Sequence, residues 1–256
     1  MTIVDIQVSP AVLSWSGIHE AALAAEAAGF GAFHIFDHLA GVALGGETML
    51  ECFSLLGALS QVTTTIELGT MVVNVWNRQP GTLVSAAASI ANLSGRQVHL
   101  GIGAGASPTS RWAREQHAAG HELEPDLARR QQRVVDVLDL ADRTWSLERD
   151  DELATFPLPS PRPSILVGCN SPSLATIAGR HADGINVPWN QPRRDEILAA
   201  ANAAAGDRPF VRTAYANYDG TLLDPTHPER LEMDAARIDR LVLADFTSSP
   251  TFPARV

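Results

Sequence analysis

The chain contains no lysine. All 19 of its lysine-plus-arginine positions are arginine, which removes a Schiff-base lysine and the lysine of a Walker-type phosphate loop from its possible chemistries. The first arginine is Arg78, so Asp5, Glu20, Glu26, Asp37, Glu47, Glu51 and Glu67 precede any fixed positive side chain. With a net charge of −10 overall, the chain has the wrong sign for nucleic acid or an anionic membrane surface, and neither is an expected partner. No basic segment precedes the first apolar stretch, so no secretory signal is expected and the cytoplasm is the expected location. Cysteine is equally scarce. Cys52 and Cys169 are the only two, with no C-x-x-C and no paired histidine spacing, which argues against a disulfide framework and a metal site. Cys52 reads as a buried helix residue. No apolar run reaches the length of about 18 residues that a membrane span needs.

What remains is a chain of 256 residues, 45% hydrophobic, enough for one large core and expected to form a single domain over residues 1–256. Short apolar or β-branched runs occur at 3–8, 32–36, 66–73, 97–103, 164–169, 184–188, 210–215 and 240–245. Helical patterns lie between them at 17–28, 50–62, 81–93, 127–145, 173–181, 194–205 and 228–237. The strands read as apolar on both faces, as in a parallel sheet covered by helices. The alternation predicts an α/β fold, a (β/α)8 TIM barrel, with a doubly wound open sheet as the alternative. It is a shortened barrel whose last helix is missing or degenerate, because only DFTSSPTFPARV follows Ala244. Either another chain covers that side or the last strand lies exposed. The segment 148–163, acidic and then proline-rich, reads as a surface crossover.

The most informative stretch is LSGRQVHLGIGAG (93–105), a strand running into Gly101, Gly103 and Gly105. Glycines there leave backbone N–H groups open to a flat ring or a phosphate. Gly101, Gly103 and Ala106 also match G-x-G-x-x-A, with Glu122 or Glu124 roughly 20 residues on, as in a dinucleotide fold. Against that reading, the unit is not the first strand, Pro108 interrupts the helix that should follow, and those glutamates sit in polar sequence.

In a barrel the ligand lies at the strand C-termini. The residues there are Ser9 and Pro10, Asp37 and His38, Met71 to Asn74, Gly101 to Gly105, Gly168 to Ser171, Asn186 to Trp189, Tyr215, Tyr218 and Asp245. Asp37-His38 is the best acid/base pair, since an adjacent carboxylate could orient the imidazole; the plainer alternative is a capping Asp beside a half-buried His. Asn170, Ser171 and Pro172 form a helix start whose N–H groups could bind phosphate, or a cap that serves only the helix.

Five ordered motifs go beyond these single-residue readings: GFGAFHIFDHL (29–39), E-x-x-x-L-L-x-A-L-S-x-x-T-x-x-I-x-L-G-T (51–70), RQP (78–80), LSGRQVHLGIGAG (93–105) and PSILVGCNSPSLATIAGRHADGINV (163–187). Together, across residues 20 to 190, they resemble the luciferase-like flavin monooxygenase and deazaflavin oxidoreductase superfamily. The resemblance implies a barrel binding coenzyme F420, or alternatively FMN, at the strand C-termini. It implies that Asp37 touches the ring and that His38 is the acid/base near the reacting carbon. It places a non-prolyl cis peptide at Met71-Val72, a bulge behind the ring flanked by Asn74. The loop of Gly103, Ala104, Gly105 and Ser107 and the turn of Gly168, Asn170 and Ser171 would hold the ribityl chain and phosphate. With no lysine present, Arg78, Arg111 or Arg180 would supply charge for the anionic tail.

The chain also departs from the pattern. The end of the first strand, IQVSP, lacks the acidic residue, and the chain lacks the lysines, by which the sugar-phosphate dehydrogenases of the group hold their substrate, which argues against a sugar phosphate. The leading expectation is hydride transfer between F420 and a small organic substrate, with His38 managing the proton. The alternatives are an FMN-dependent monooxygenase using dioxygen and a non-catalytic flavin-binding relic. Relatives are commonly dimers, so a homodimer is expected.

Overall fold

The computed structural model describes residues 2–253. Among them eight strands alternate with helices: β1 (Ile3–Val8), α1 (Trp15–Ala27), β2 (Ala32–Ile35), α2 (Cys52–Val62), β3 (Glu67–Asn74), α3 (Pro80–Ser94), β4 (Val98–Gly103), α4 (Ala113–Ala118), α5 (Leu127–Thr144), β5 (Ser164–Gly168), α6 (Pro172–His181), β6 (Gly184–Pro188), α7 (Arg194–Ala205), β7 (Val211–Asn217), α8 (Pro228–Ala235) and β8 (Arg240–Asp245). Each strand pairs in parallel with the next, and β8 returns to β1 from Ile3↔Arg240 to Val8↔Asp245, closing the sheet. The fold is a (β/α)8 barrel, and that last ladder excludes an open sheet.

Local chemistry sets the helix starts. The side chains of Ser14, Asp126 and Ser171 accept the N–H of Gly17, Arg129 and Leu174, and proline begins α3, α6 and α8. No helix of the described residues is long and apolar enough to cross a membrane.

Glu26, at the end of α1, gathers the N–H groups of Thr64, Thr65 and Ile66 and the Thr65 hydroxyl, fixing the entry into β3. Burial raises its pKa, but these donors outweigh it and bring the carboxyl from 4.5 down to about 2. The pKa is lowered by folding, so its contribution is complete above pH 4.5 and is lost as pH falls toward about 2. Glu26→Gln is expected to cost about 1 kcal/mol at neutral pH, discounted for solvent screening, and to flatten the acid limb of a denaturation series between those pH values.

The strands are not apolar on both faces as expected. Their outward residues, among them Val4, Ile6, Phe33, Ile35, Leu68, Leu100, Leu241 and Leu243, join the helices in one buried core. The inward residues at the N-terminal end are charged. Arg240 donates from Nε and Nη2 to Asp5 at 2.7 and 2.8 Å, and from Nη2 to Glu67 at 2.7 Å. His99 bridges Glu67 at 2.7 Å and Ser164 at 2.8 Å, and the His34 ring lies between Asp5, 3.5 Å away, and His99. Above this floor a thin apolar layer of Met71, Leu166 and Val242 fills the barrel. Within the barrel, the space open to a ligand therefore lies at the strand C-termini.

No helix follows β8 in residues 246–253, and residues 254–256 lie outside those described. The strand is nevertheless covered. Phe252 packs on Phe30 at 5.2 Å and on Tyr218 at 5.9 Å, and Leu241 and Leu243 are fully buried. An extended strap occupies the place of the missing helix, which corrects the expectation of a bare strand. Cys52 is buried in α2 as expected. The crossover is pinned to the surface by Arg149, which donates to the carbonyls of Thr144, Ala154 and Phe156, and by Arg162, which pairs with Asp142 and Asp183.

Candidate functional site

A cavity of about 580 Å³ opens at the C-terminal ends of the strands. Asp37, His38, Met71, Val72, Asn74, Gly103, Ala104, Gly105, Ser107, Gly168, Asn170 and Ser171, the residues expected from the sequence, all line it. The ladder between β3 and β4 slips between Thr70 and Val73, and the Met71-Val72 peptide is cis. Met71 points down into the apolar layer, while Val72 faces the cavity. Side chains are absent where Val72 comes close: a Cβ on Gly103 would lie 3.0 Å, and one on Gly168 2.8 Å, from its methyl groups. Gly105 has φ +78, a left-handed turn that glycine permits. Gly101 behaves differently from the other two glycines of its phrase. It is buried in β4, where a Cβ would strike the Thr70 carbonyl and the Met71 sulfur, and it does not line the cavity.

His38 is not oriented by its neighbour. Adjacent residues of an extended segment diverge, and Asp37 turns to the start of α3. There it pairs with Arg78 at 2.7 Å and accepts from Asn74 N and Asn77 Nδ2 at 3.2 and 3.3 Å. The carboxylate on His38 belongs to Glu115 of α4. Its Oε1 meets His38 Nδ1 at 2.6 Å, and its Oε2 accepts the N–H of Leu39 at 2.8 Å and of Ala40 at 3.0 Å. Burial pushes the Glu115 carboxyl up, but His38 and these two N–H groups outweigh it and hold the pKa below its usual value. An ionised carboxylate only accepts, so Nδ1 carries the proton of the pair. Nε2 has no partner among the described residues, and the ring of Trp112 flanks the imidazole at 5.4 Å. Burial raises the pKa of the Cys169 thiol and the Tyr215 hydroxyl. Neither is an ionised nucleophile at neutral pH, and imidazole is the lining group suited to proton transfer.

None of the arginines expected to serve an anion lines the cavity. Arg78 is held by Asp37 and Glu51 over the Phe53 ring. Arg111 is exposed and stacks on Trp112, and Arg180 lies at the C-terminal end of α6, away from the cavity. The arginine that lines the cavity is Arg130 of α5, beside Gln131, Ser107 and Ser171. Asn186 and Gln116 also line it, and Asn186 Oδ1 and Gln116 Oε1 are buried without partners among the described residues. Glu115 is invisible to motif reasoning because it lies 77 positions from the histidine it orients. Asn186 and Tyr215 stood among the strand-end residues, but nothing in the sequence separated them from their neighbours.

A family model described as luciferase-like monooxygenase matches residues 4–210. The F420-dependent hydroxymycolic acid dehydrogenase of Mycobacterium tuberculosis (strain ATCC 25618 / H37Rv) is 31% identical over 199 residues, covering 72% of this chain and 52% of that protein. The chain spans about half the length of the curated relatives it matches. Among solved structures, an F420-dependent secondary alcohol dehydrogenase in complex with an F420-acetone adduct superposes with a TM-score of 0.76 at 16% identity, covering 98% of this chain and 94% of that one. The coenzyme F420 dependent tetrahydromethanopterin reductase from Methanopyrus kandleri gives 0.67 at 13% identity, covering 95% and 93%.

Proposed function

Because the chain belongs to the luciferase-like monooxygenase family, we propose that it is an oxidoreductase working with coenzyme F420, in which His38 Nε2 carries the proton that accompanies hydride transfer to or from an organic substrate. The observation that carries this reading is the Glu115 clamp on His38 Nδ1, which leaves Nε2 at the cavity.

The residues present fit such a cofactor. Val72 offers an apolar wall for a flat ring, the backbone from Gly103 to Ser107 and the α6 start at Ser171 offer N–H groups for a phosphate, and Asn186 Oδ1 and Gln116 Oε1 are open acceptors. When bound, the deazaflavin supplies a two-electron hydride donor or acceptor. In the oxidising direction the substrate hydroxyl gives its proton to Nε2, and Glu115 stabilises the imidazolium that forms. In the reducing direction Nε2 returns the proton to the substrate oxygen. Trp112 flanks the imidazole and Val72 gives the cavity an apolar wall. FMN would use the same ring and phosphate positions, but dioxygen activation asks for water exclusion rather than a clamped acid/base. The dyad therefore favours the deazaflavin.

Fluorescence titration of the purified protein with F420 and with FMN tests the reading. Saturable quenching of F420 at micromolar protein is expected, followed by reduction of bound F420 with a secondary alcohol. Binding of FMN alone would assign the protein to flavin chemistry, and tight F420 binding with no turnover by any donor would make it a carrier.

A further inference from the structure

Helix α5 carries two guanidinium groups, one lining the cavity and one a helical turn on, that form no ion pair among the described residues. Arg130 lines the cavity and donates only to the backbone carbonyls of Glu124 and Pro125, at 3.0 and 3.1 Å. One helical turn on, Arg133 donates to the Gln79 side chain at 3.2 Å and lies over the Trp76 ring at 5.4 Å. The Nε of each has no acceptor among the described residues. Neighbouring acidic side chains are committed elsewhere: Glu124 accepts from the Asp126 N–H and pairs with Arg129, Asp126 caps α5, Asp136 accepts from Gln132, and Glu115 holds His38. The polar side chains that continue this edge, Gln131, Ser173 and Ser171, are bonded to one another.

In a chain of net charge −10, two adjacent uncompensated cations beside a cavity attract an anion. Arg130 adjoins the α6 start that suits the ring-proximal phosphate, and Arg133 stands one helical turn on along α5. Spacing the two charges by one helical turn suits a flexible chain of carboxylates better than one compact phosphate.

We propose that Arg130 and Arg133 form a subsite for the carboxylates of the oligoglutamyl tail of F420, and that this subsite selects F420 over FMN, which ends at its phosphate. The proposal rests on the reading of the cavity as an F420 site. No bond is made or broken there, and the subsite contributes affinity and specificity.

The test compares three probes by fluorescence titration at low and high salt: F420 with its glutamyl tail, the same deazaflavin truncated after the phospholactyl group, and FMN. The wild-type protein should bind the tailed form about tenfold more tightly than the truncated one, with the gap closing as salt rises. R130Q/R133Q should erase the gap, weakening the tailed form about tenfold and the truncated form less than about twofold, with its melting temperature showing that it folds. Equal weakening of both forms would assign the arginines to the phosphate and overturn the subsite while leaving the F420 site standing. No gap in the wild-type protein would also overturn it. Failure of both deazaflavins to bind would overturn the F420 reading and this subsite with it.

Discussion

His38→Ala is expected to lower kcat with F420 by about 10²- to 10⁴-fold, the usual worth of a positioned general acid/base, and to shift the Kd of F420 by less than about threefold. The asymmetry follows from where the imidazole is held. Glu115 fixes it by Nδ1, and the remaining nitrogen faces the cavity with no protein partner among the described residues. A group so placed contributes when a proton moves and little while the ligand merely sits. The cofactor contacts proposed above fall on the Gly103–Ser107 backbone, Ser171, Val72 and Arg130, which the substitution leaves in place. Pre-steady-state reduction of bound F420, read at its visible absorbance, separates chemistry from product release. Losses of equal size in kcat and affinity would move His38 from proton transfer to binding.

Arg240→Met is expected to destabilise the barrel by about 3–5 kcal/mol, a fall in Tm on the order of 10 °C for a chain of this size. Arg240 is the arginine bound to both Asp5 and Glu67, and its loss strands a fully buried carboxylate. Burial pushes the Asp5 pKa up, but His34 and Arg240 outweigh it and hold the carboxyl well below its ordinary range. For His34, burial outweighs the pull of Asp5, so its pKa lies below 6.5. Both pKa values are lowered by folding, so both contributions are present at neutral pH and shrink on acidification. That of His34 begins to fade below about pH 6.5, and that of Asp5 below about pH 3.8. Asp5→Asn in the Arg240→Met background should recover part of the loss, measured by chemical denaturation at pH 7. A purely local packing effect would give no recovery.

The eight strands were legible because each is a short apolar run bounded by glycine, proline or polar residues, and because the outward positions alone carry the helix-facing core. The same positions hid the floor. Asp5, His34, His99 and Arg240 sit at alternate places in runs that look uniformly strand-like, and only closure of the barrel turns them inward onto one another. The cavity lining followed from motif order, since strand ends in a barrel share one face. The partners did not. Asp37-His38 are adjacent in sequence and face different neighbours, while α4, six residues long, is too short to show a periodic pattern and carries the carboxylate that matters. Arg78 was the natural candidate for an anion, but it lies within reach of Asp37 and Glu51, which consume its charge.

Glu115 uses both oxygens, one on the His38 imidazole and the other on the Leu39 and Ala40 N–H groups. One carboxylate thus stitches the loop after β2 to the loop after β4, and the stitch passes through His38, the residue proposed to carry the proton. Spreading those two loops releases the imidazole and two backbone donors in a single event. On the role proposed for His38, the mouth of the barrel therefore cannot gape without disarming the proton carrier.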